Sequence, residues 1–379
     1  MQPFSFKLLG SVVQPSDALF ALAGLAWVVA LLLGGVTLRR GRSLLFFGLF
    51  LLAALLTTAL APHRSPSRVV IEVYLVGLGV MSYQLVRDLG DVRRTWLVWT
   101  GTATFTAIAI LLSSILFYVA GLKSPDINPV LWKAGSLPVG NYPRVRGFFL
   151  NGNMTGNYLA LSACLAFGLA AVSERHRRLA FWAGVAIAAA ALPTLSSALG
   201  GLAIAIGLFA WLLQTATQKN KPLKALLPLG GLFAFLLFLF TAGYPKRTDA
   251  GLVIEASPRW LTWGSSFGSF LKHPIFGNGL GVELADVRYQ TASGVHEHLT
   301  DPHNAWLSVG GQMGLIGLAV FVAMLAWFAR GTRPVAPRST AAADPSSLVR
   351  IALFGTWIVI VYQAFSCSLE DMRHVWLVL

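Results

Sequence analysis

The feature of this sequence that most constrains its fold is a succession of long apolar runs almost free of charge. A hydrocarbon core of about 30 Å calls for about 20 apolar residues per helix. Ten runs approach or reach that length, over 17–34, 44–61, 69–86, 95–119, 154–172, 179–193, 195–213, 226–243, 303–329 and 348–366. Inside lipid every backbone polar group must find its partner within the protein, so runs of this length read as helices. Pro193 separates the sixth run from the seventh as a tight hairpin. His374 to Leu379 reads as the start of a further span, and Met1 to Gln14 lacks the basic segment and apolar core of a cleavable signal peptide.

Composition closes off the other classes. The chain is 56% hydrophobic and 12% charged, against about 25% charged residues in soluble domains, so a soluble globule is excluded. Twenty-four Phe and 12 Trp exclude disorder. The net charge of +14 could signal nucleic acid only if the basic residues shared one soluble face, but they are scattered between the apolar runs. Cys164 lies within a run and Cys367 just after one, so both are expected as free thiols, and no metal-finger spacing is present. The expected fold is an all-α polytopic membrane protein of about 10–12 transmembrane helices, forming one integral-membrane domain over 1–379.

Lys and Arg are retained on the cytoplasmic side of short loops. Sixteen of the 29 fall in alternate short connections, marked by Arg39, Arg87, Arg175, Lys219 and Arg330. The long loops 120–153 and 244–302 are therefore expected outside, with His63, His273, His296, His298, His303 and His374 on that side and only His176 within. The cytoplasmic connections hold no phosphate-cradling GxxxxGK[ST] and no paired carboxylates. Chemistry is expected at the outer face, without ATP.

Three segments there could carry it. In His296 to Leu318, Asp301-Pro302 makes a turn and a helix follows. Placed on one helical wheel, His303, Gly310, Gly314 and Gly317 fall within about 60° of one another. Such a glycine stripe admits a neighbouring helix and points His303 into the bundle at its outer mouth; the alternative is an interfacial or capping histidine. In Ser257 to Pro274, Ser257 suits an N-cap and Pro258 a first turn, and Trp260, Trp263, Phe267, Phe270 and Leu271 make the apolar stripe of an interfacial helix. Arg259 in its first turn suits a phosphate group, or equally a snorkelling contact to lipid headgroups. The glycine-rich 276–281 that follows reads as a flexible turn. In Pro143 to Leu159, Arg144 and Arg146 precede a span whose start holds Asn151 and Asn153; Asn153 is an N-cap candidate. Two arginines on the outer surface run against the positive-inside rule, and an anionic ligand accounts for them. The four groups His296, His298, Asp301 and His303 could instead form a metal site, although the HxH pair lies in a loop and His303 at a helix. A metal-free arrangement, with arginines on a diphosphate and His303 handling a proton, uses the same residues.

Together these segments resemble the O-antigen ligase and lipid-linked glycan polymerase superfamily. The ligase pattern of His, then Asn, Ser or Gln, nine residues, Gly, two residues, Gly, then Gly, Thr or Tyr reads here His303-Asn304, nine residues, Gly314-Leu315-Ile316-Gly317. Leu318 departs from it at the final place. Arg259-Trp260 followed by His273-Pro274-Ile275-Phe276-Gly277-Asn278-Gly279-Leu280-Gly281 resembles the outer-loop block, and the resemblance covers roughly 140–379. It implies a GT-C-like inner-membrane glycosyltransferase with periplasmic loops at 120–153 and 244–302, the second carrying the site, and C-terminal helices over 303–379. Its donor would be a glycan on undecaprenyl diphosphate and its acceptor a sugar hydroxyl of lipid A-core. Transfer would proceed with inversion and without metal, nucleotide or other cofactor. The residues so implied are His303 as base and Arg259 on the leaving diphosphate, with Arg144, Arg146, Arg288, Asn304 and Asn153 as substrate-binding candidates. An O-antigen polymerase or a protein O-oligosaccharyltransferase would use the same donor chemistry. A transporter, the rival from another class, would be expected to show an internal repeat or several midplane charges; Glu72 is the clearest buried charge.

Overall fold

The computed structural model describes residues 6–8, 11–13, 15–35, 37, 39–86, 89–121, 132–133, 144–145, 147–149, 152–194, 207, 243–248, 251–256, 259–290, 296–332, 345–368 and 373–376. Its helices are α1 (Pro15–Leu32), α2 (Arg42–Leu60), α3 (Pro66–Leu85), α4 (Leu89–Tyr118), α5 (Gly152–Val172), α6 (Arg177–Ala191), α7 (Arg259–Lys272), α8 (Ala305–Thr332), α9 (Pro345–Gln363) and the short α10 (Arg373–Trp376). Four two-stranded antiparallel hairpins accompany them, the last pairing β7 (Val287–Gln290) with β8 (His296–Leu299). Eight of the ten expected spans are helices, and the other two, 195–213 and 226–243, lie outside the described residues apart from Gly207 and Gly243. Five helices among the described residues are long and apolar enough to cross a membrane: α2, α3, α4, α5 and α8. The chain is an all-α polytopic membrane protein.

Helix α5 is buried around nearly its whole circumference. Its Ala, Gly, Ser and Thr residues let α4, α6 and α9 close around it. The outward faces of α2, α4 and α7 instead expose Leu, Ile and Phe, the distribution of helices solvated by lipid. At one end of the bundle the connections after α1 and α3 are tied together. The Arg39 amide donates to Gln84 Oε1 (2.8 Å), the Gln84 amide group returns a bond to the Arg39 carbonyl (2.9 Å), and Arg39 Nη1 reaches the Val86 carbonyl (2.8 Å). At the other end the His63 amide donates to the Asn278 carbonyl (3.2 Å), joining the α2–α3 connection to the segment after α7.

Helix α8 is broken at Gly314, whose φ of 65° and ψ of −164° no helix contains. In an intact helix the amides of Leu315 and Ile316 would bond the carbonyls of Gly311 and Gln312. Here Leu315 donates to the Pro274 carbonyl (2.8 Å) and Ile316 to that of Ile275 (3.4 Å). The two freed carbonyls are taken from the same loop: Gly311 accepts from the Asn278 amide and side chain (both 2.9 Å), and Gln312 from the Gly279 amide (3.1 Å). The 274–281 loop thus supplies partners for these four backbone groups among apolar helices. Glycine is required on both sides. A Cβ at Gly314 would stand 2.2 Å from the Ile275 carbonyl oxygen, and one at Gly277 (φ 74°) 2.2 Å from that of Gln312.

Beyond the break the two arms of α8 fold back on one another. Fifteen residues of straight helix would separate Trp306 from Phe321 by about 22 Å, whereas their ring centroids are 5.2 Å apart. Phe321 in turn lies against Phe50, midway along α2. The Ala305 amide is bonded to the Ala364 carbonyl (2.7 Å) just beyond α9. One expectation is corrected here. His303, Gly310, Gly314 and Gly317 do not form one helical stripe, because His303 precedes the helix in a left-handed conformation (φ 48°) and Gly314 interrupts it. What approaches the glycines is the 274–281 loop.

Candidate active site

The site is built on the turn that precedes α8. Asn304 caps that helix, accepting from the Leu307 amide on its side-chain oxygen (3.2 Å) and from the Ser308 amide on its carbonyl (2.8 Å). His303 is therefore one residue outside the helix. Its left-handed backbone is held by Asp301, whose Oδ1 accepts the His303 amide at 2.8 Å and also the Ser368 hydroxyl. The other carboxylate oxygen lies 3.6 Å from His303 Nδ1. The imidazole side chain keeps 39% exposure, so it is reachable.

The first turn of α7 packs on this turn. Trp263 Nε1 donates to the Pro302 carbonyl (3.0 Å), and Thr262 Oγ1 to the Arg259 carbonyl (3.0 Å). This brings Arg259 into the electrostatic field of His303. Burial lowers the His303 pKa below the usual histidine value, the Asp301 carboxylate opposes that shift, and the Arg259 cation adds to it. The result favours neutral imidazole, a proton acceptor. Burial also acts to lower Arg259, with Cys367 and Tyr362 opposing, but a guanidinium remains cationic in proteins. Thr262 and Ser266 turn inward, whereas Trp260, Leu261, Phe267 and Leu271 face outward. Of the expected apolar stripe, Trp263 and Phe270 are drawn toward α8 instead, Phe270 against Gly310.

Beneath the turn, α5, the end of α9 and α10 share buried polar contacts. The Asn157 side-chain amide donates to Cys367 Sγ, Gln363 Nε2 donates to the Asn157 carbonyl (2.6 Å), and His374 Nε2 lies 3.3 Å from Gln363 Oε1. The Tyr158 ring meets His374 edge-on. Polar groups in apolar spans that face the interior commonly mark functional regions. Asn157 and Gln363 carried that signal in the sequence and were passed over, as was Ser368.

Of the residues proposed from sequence, His303 and Arg259 are brought together and Asn304 is committed to the cap. Arg288 is on β7, 80% exposed and 3.7 Å from Asp286. His298, opposite it on β8, pairs with the same carboxylate at 2.8 Å. Asn153 is half-buried within the first turn of α5, so it is not that helix's cap. Arg146, Asn151, Ser257, Pro258 and the side chains of Arg144 and His296 lie outside the described residues. Among the described residues no three His, Cys, Asp or Glu side chains are gathered to hold a metal ion. Cys164 and Cys367 are buried and form no disulfide.

The class this defines is a polytopic α-helical membrane protein in which a histidine and an arginine from separate segments lie within electrostatic reach of one another. Residues 183–322, which carry both Arg259 and His303, match the family model for O-antigen ligase. The family performs lipid-linked glycan transfer of the ligase or polymerase type. No curated protein and no solved structure matches the chain.

Proposed function

We propose that this protein is an inner-membrane O-antigen ligase working at the periplasmic face. It moves a glycan from undecaprenyl diphosphate to a sugar hydroxyl of lipid A-core. His303 takes the proton of the acceptor hydroxyl as its oxygen attacks the anomeric carbon. The bond from that carbon to the diphosphate oxygen breaks in the same displacement, which inverts the anomeric centre, and Arg259 stabilises the negative charge that develops on the departing undecaprenyl diphosphate. Arg144, Arg146 and Arg288 are candidates for a second cation on the diphosphate. No metal or nucleotide is needed, because the activated bond is already in the donor.

The observation that carries this reading is the convergence of Arg259 and His303. They are 44 positions apart in the sequence and are held together by the Trp263 bond to Pro302. A neutral imidazole beside a permanent cation suits a base and an anion-stabilising group better than it suits two cations sharing one ligand. The periplasmic orientation rests on the 16 basic residues in the opposite short connections. Deleting the gene and analysing the lipopolysaccharide tests the reading. Loss of all long chains, with glycan accumulating on the lipid carrier, is expected; a core that still carries one repeat unit would instead make the protein a polymerase.

A further inference from the structure

The carboxylate of Asp301 makes three contacts with the proposed site and no other described function accounts for them. Its Oδ1 accepts the His303 amide (2.8 Å) and the Ser368 hydroxyl, and its Oδ2 faces His303 Nδ1 at 3.6 Å. We propose that Asp301 is a positioning residue for His303: one carboxylate fixes both the left-handed backbone and the Nδ1 side of the ring, so that Nε2 is the nitrogen offered to the acceptor hydroxyl. The proposal rests on the reading of His303 as the base.

The geometry supports it in two ways. A histidine at φ 48° is in a conformation that L residues seldom adopt, and the bond from its own amide to the residue two before it is the turn that stabilises such a backbone. The conformation also decides where the ring goes. An α-helical residue 303 would continue α8 toward its N-terminus, whereas the turn takes His303 out of the helix, where the Arg259 cation acts on it. At 3.6 Å the contact of Asp301 with Nδ1 is an ion-pair distance rather than a hydrogen bond, and such contacts often tighten only when substrate is bound. Ser368, on the chain leaving α9, holds the carboxylate from the other side. The charged or titratable groups facing His303 are Asp301 from its own turn and Arg259 from α7; Tyr362 and Cys367 at the end of α9 act on Arg259.

Asp301→Asn is the informative variant, since its side-chain oxygen can still accept from both the His303 amide and the Ser368 hydroxyl while the charge facing Nδ1 is gone. In purified full-length protein with a lipid diphosphate-linked glycan and lipid A-core, it should lower kcat at least about tenfold with donor KM unchanged. The acidic limb of its pH–rate profile should move to lower pH, because the carboxylate that raises His303 has been removed. Ser368→Ala, which keeps the charge and releases one hold on it, should lower kcat less and leave that limb in place. Wild-type kcat and an unmoved limb in Asp301→Asn would overturn the proposal. So would an unmoved limb with a loss matched by a lowered unfolding temperature, which would make Asp301 only a structural turn residue. His303→Ala run alongside separates the two levels: full transfer in that variant sinks the base assignment itself, whereas an inactive His303→Ala beside an unaltered Asp301→Asn sinks only the role of Asp301.

Discussion

Replacing His303 with alanine is expected to lower glycan transfer by roughly 10²- to 10⁴-fold, the usual contribution of a positioned proton acceptor, while the lipid diphosphate donor still binds. The turn is held through the His303 amide, which alanine retains, although alanine is less at ease at φ 48°. Its loss should therefore appear in kcat and not in donor affinity. The pH profile carries a signature of its own. Only neutral imidazole accepts a proton, so activity should fall as pH drops through the His303 pKa. Because burial lowers that pKa below the ordinary histidine value, activity should persist at pH values where a solvated histidine would already be protonated. His298→Ala is the control, since that ring is engaged with Asp286. Normal transfer by His303→Ala with loss in the control would move the base elsewhere.

Arg259→Ala should cost roughly 10²- to 10³-fold in transfer, the scale for removing one group aimed at charge that develops in the transition state. Arg259→Lys should recover only part of it, because a point charge cannot reproduce the paired donors of a guanidinium on phosphate oxygens. Two bonds that seat α7 do not use the Arg259 side chain: Trp263 donates to Pro302, and Thr262 to the Arg259 backbone carbonyl. Folding should survive, although Arg259 lies in the electrostatic field of Tyr362 and Cys367 at the end of α9. Full activity in Arg259→Ala, measured beside donor binding, would shift the diphosphate site to Arg144, Arg146 or Arg288.

The apolar runs made the helices legible because burial in lipid leaves the backbone little alternative. The fifth run, read as 154–172, is α5 at Gly152–Val172. Gly314 was legible as a glycine of consequence but not as a break. Hydropathy runs unbroken through 303–329, and the bonds that stabilise the break come from a loop about 35 residues earlier. The same loop, 276–281, reads as a flexible turn because its purpose lies in the two carbonyls it meets. The packing that depends on that fold-back, Trp306 against Phe321, was hidden too. Asp301 is the local counterpart. As a turn former beside Pro302 its identity was plain, but its double hold on His303 and Ser368 joins residues 67 positions apart.

The central claim is that transfer occurs by one direct displacement assisted by His303 and Arg259. Its most direct test is the anomeric configuration of the product made by purified protein in proteoliposomes, from a lipid diphosphate-linked glycan and lipid A-core, after exhaustive EDTA treatment. The account predicts an inverted linkage to the core, one undecaprenyl diphosphate released per glycan moved, and undiminished activity after chelation. A retained configuration, which requires a covalent glycosyl intermediate, or activity lost on chelation and restored by zinc, would contradict it.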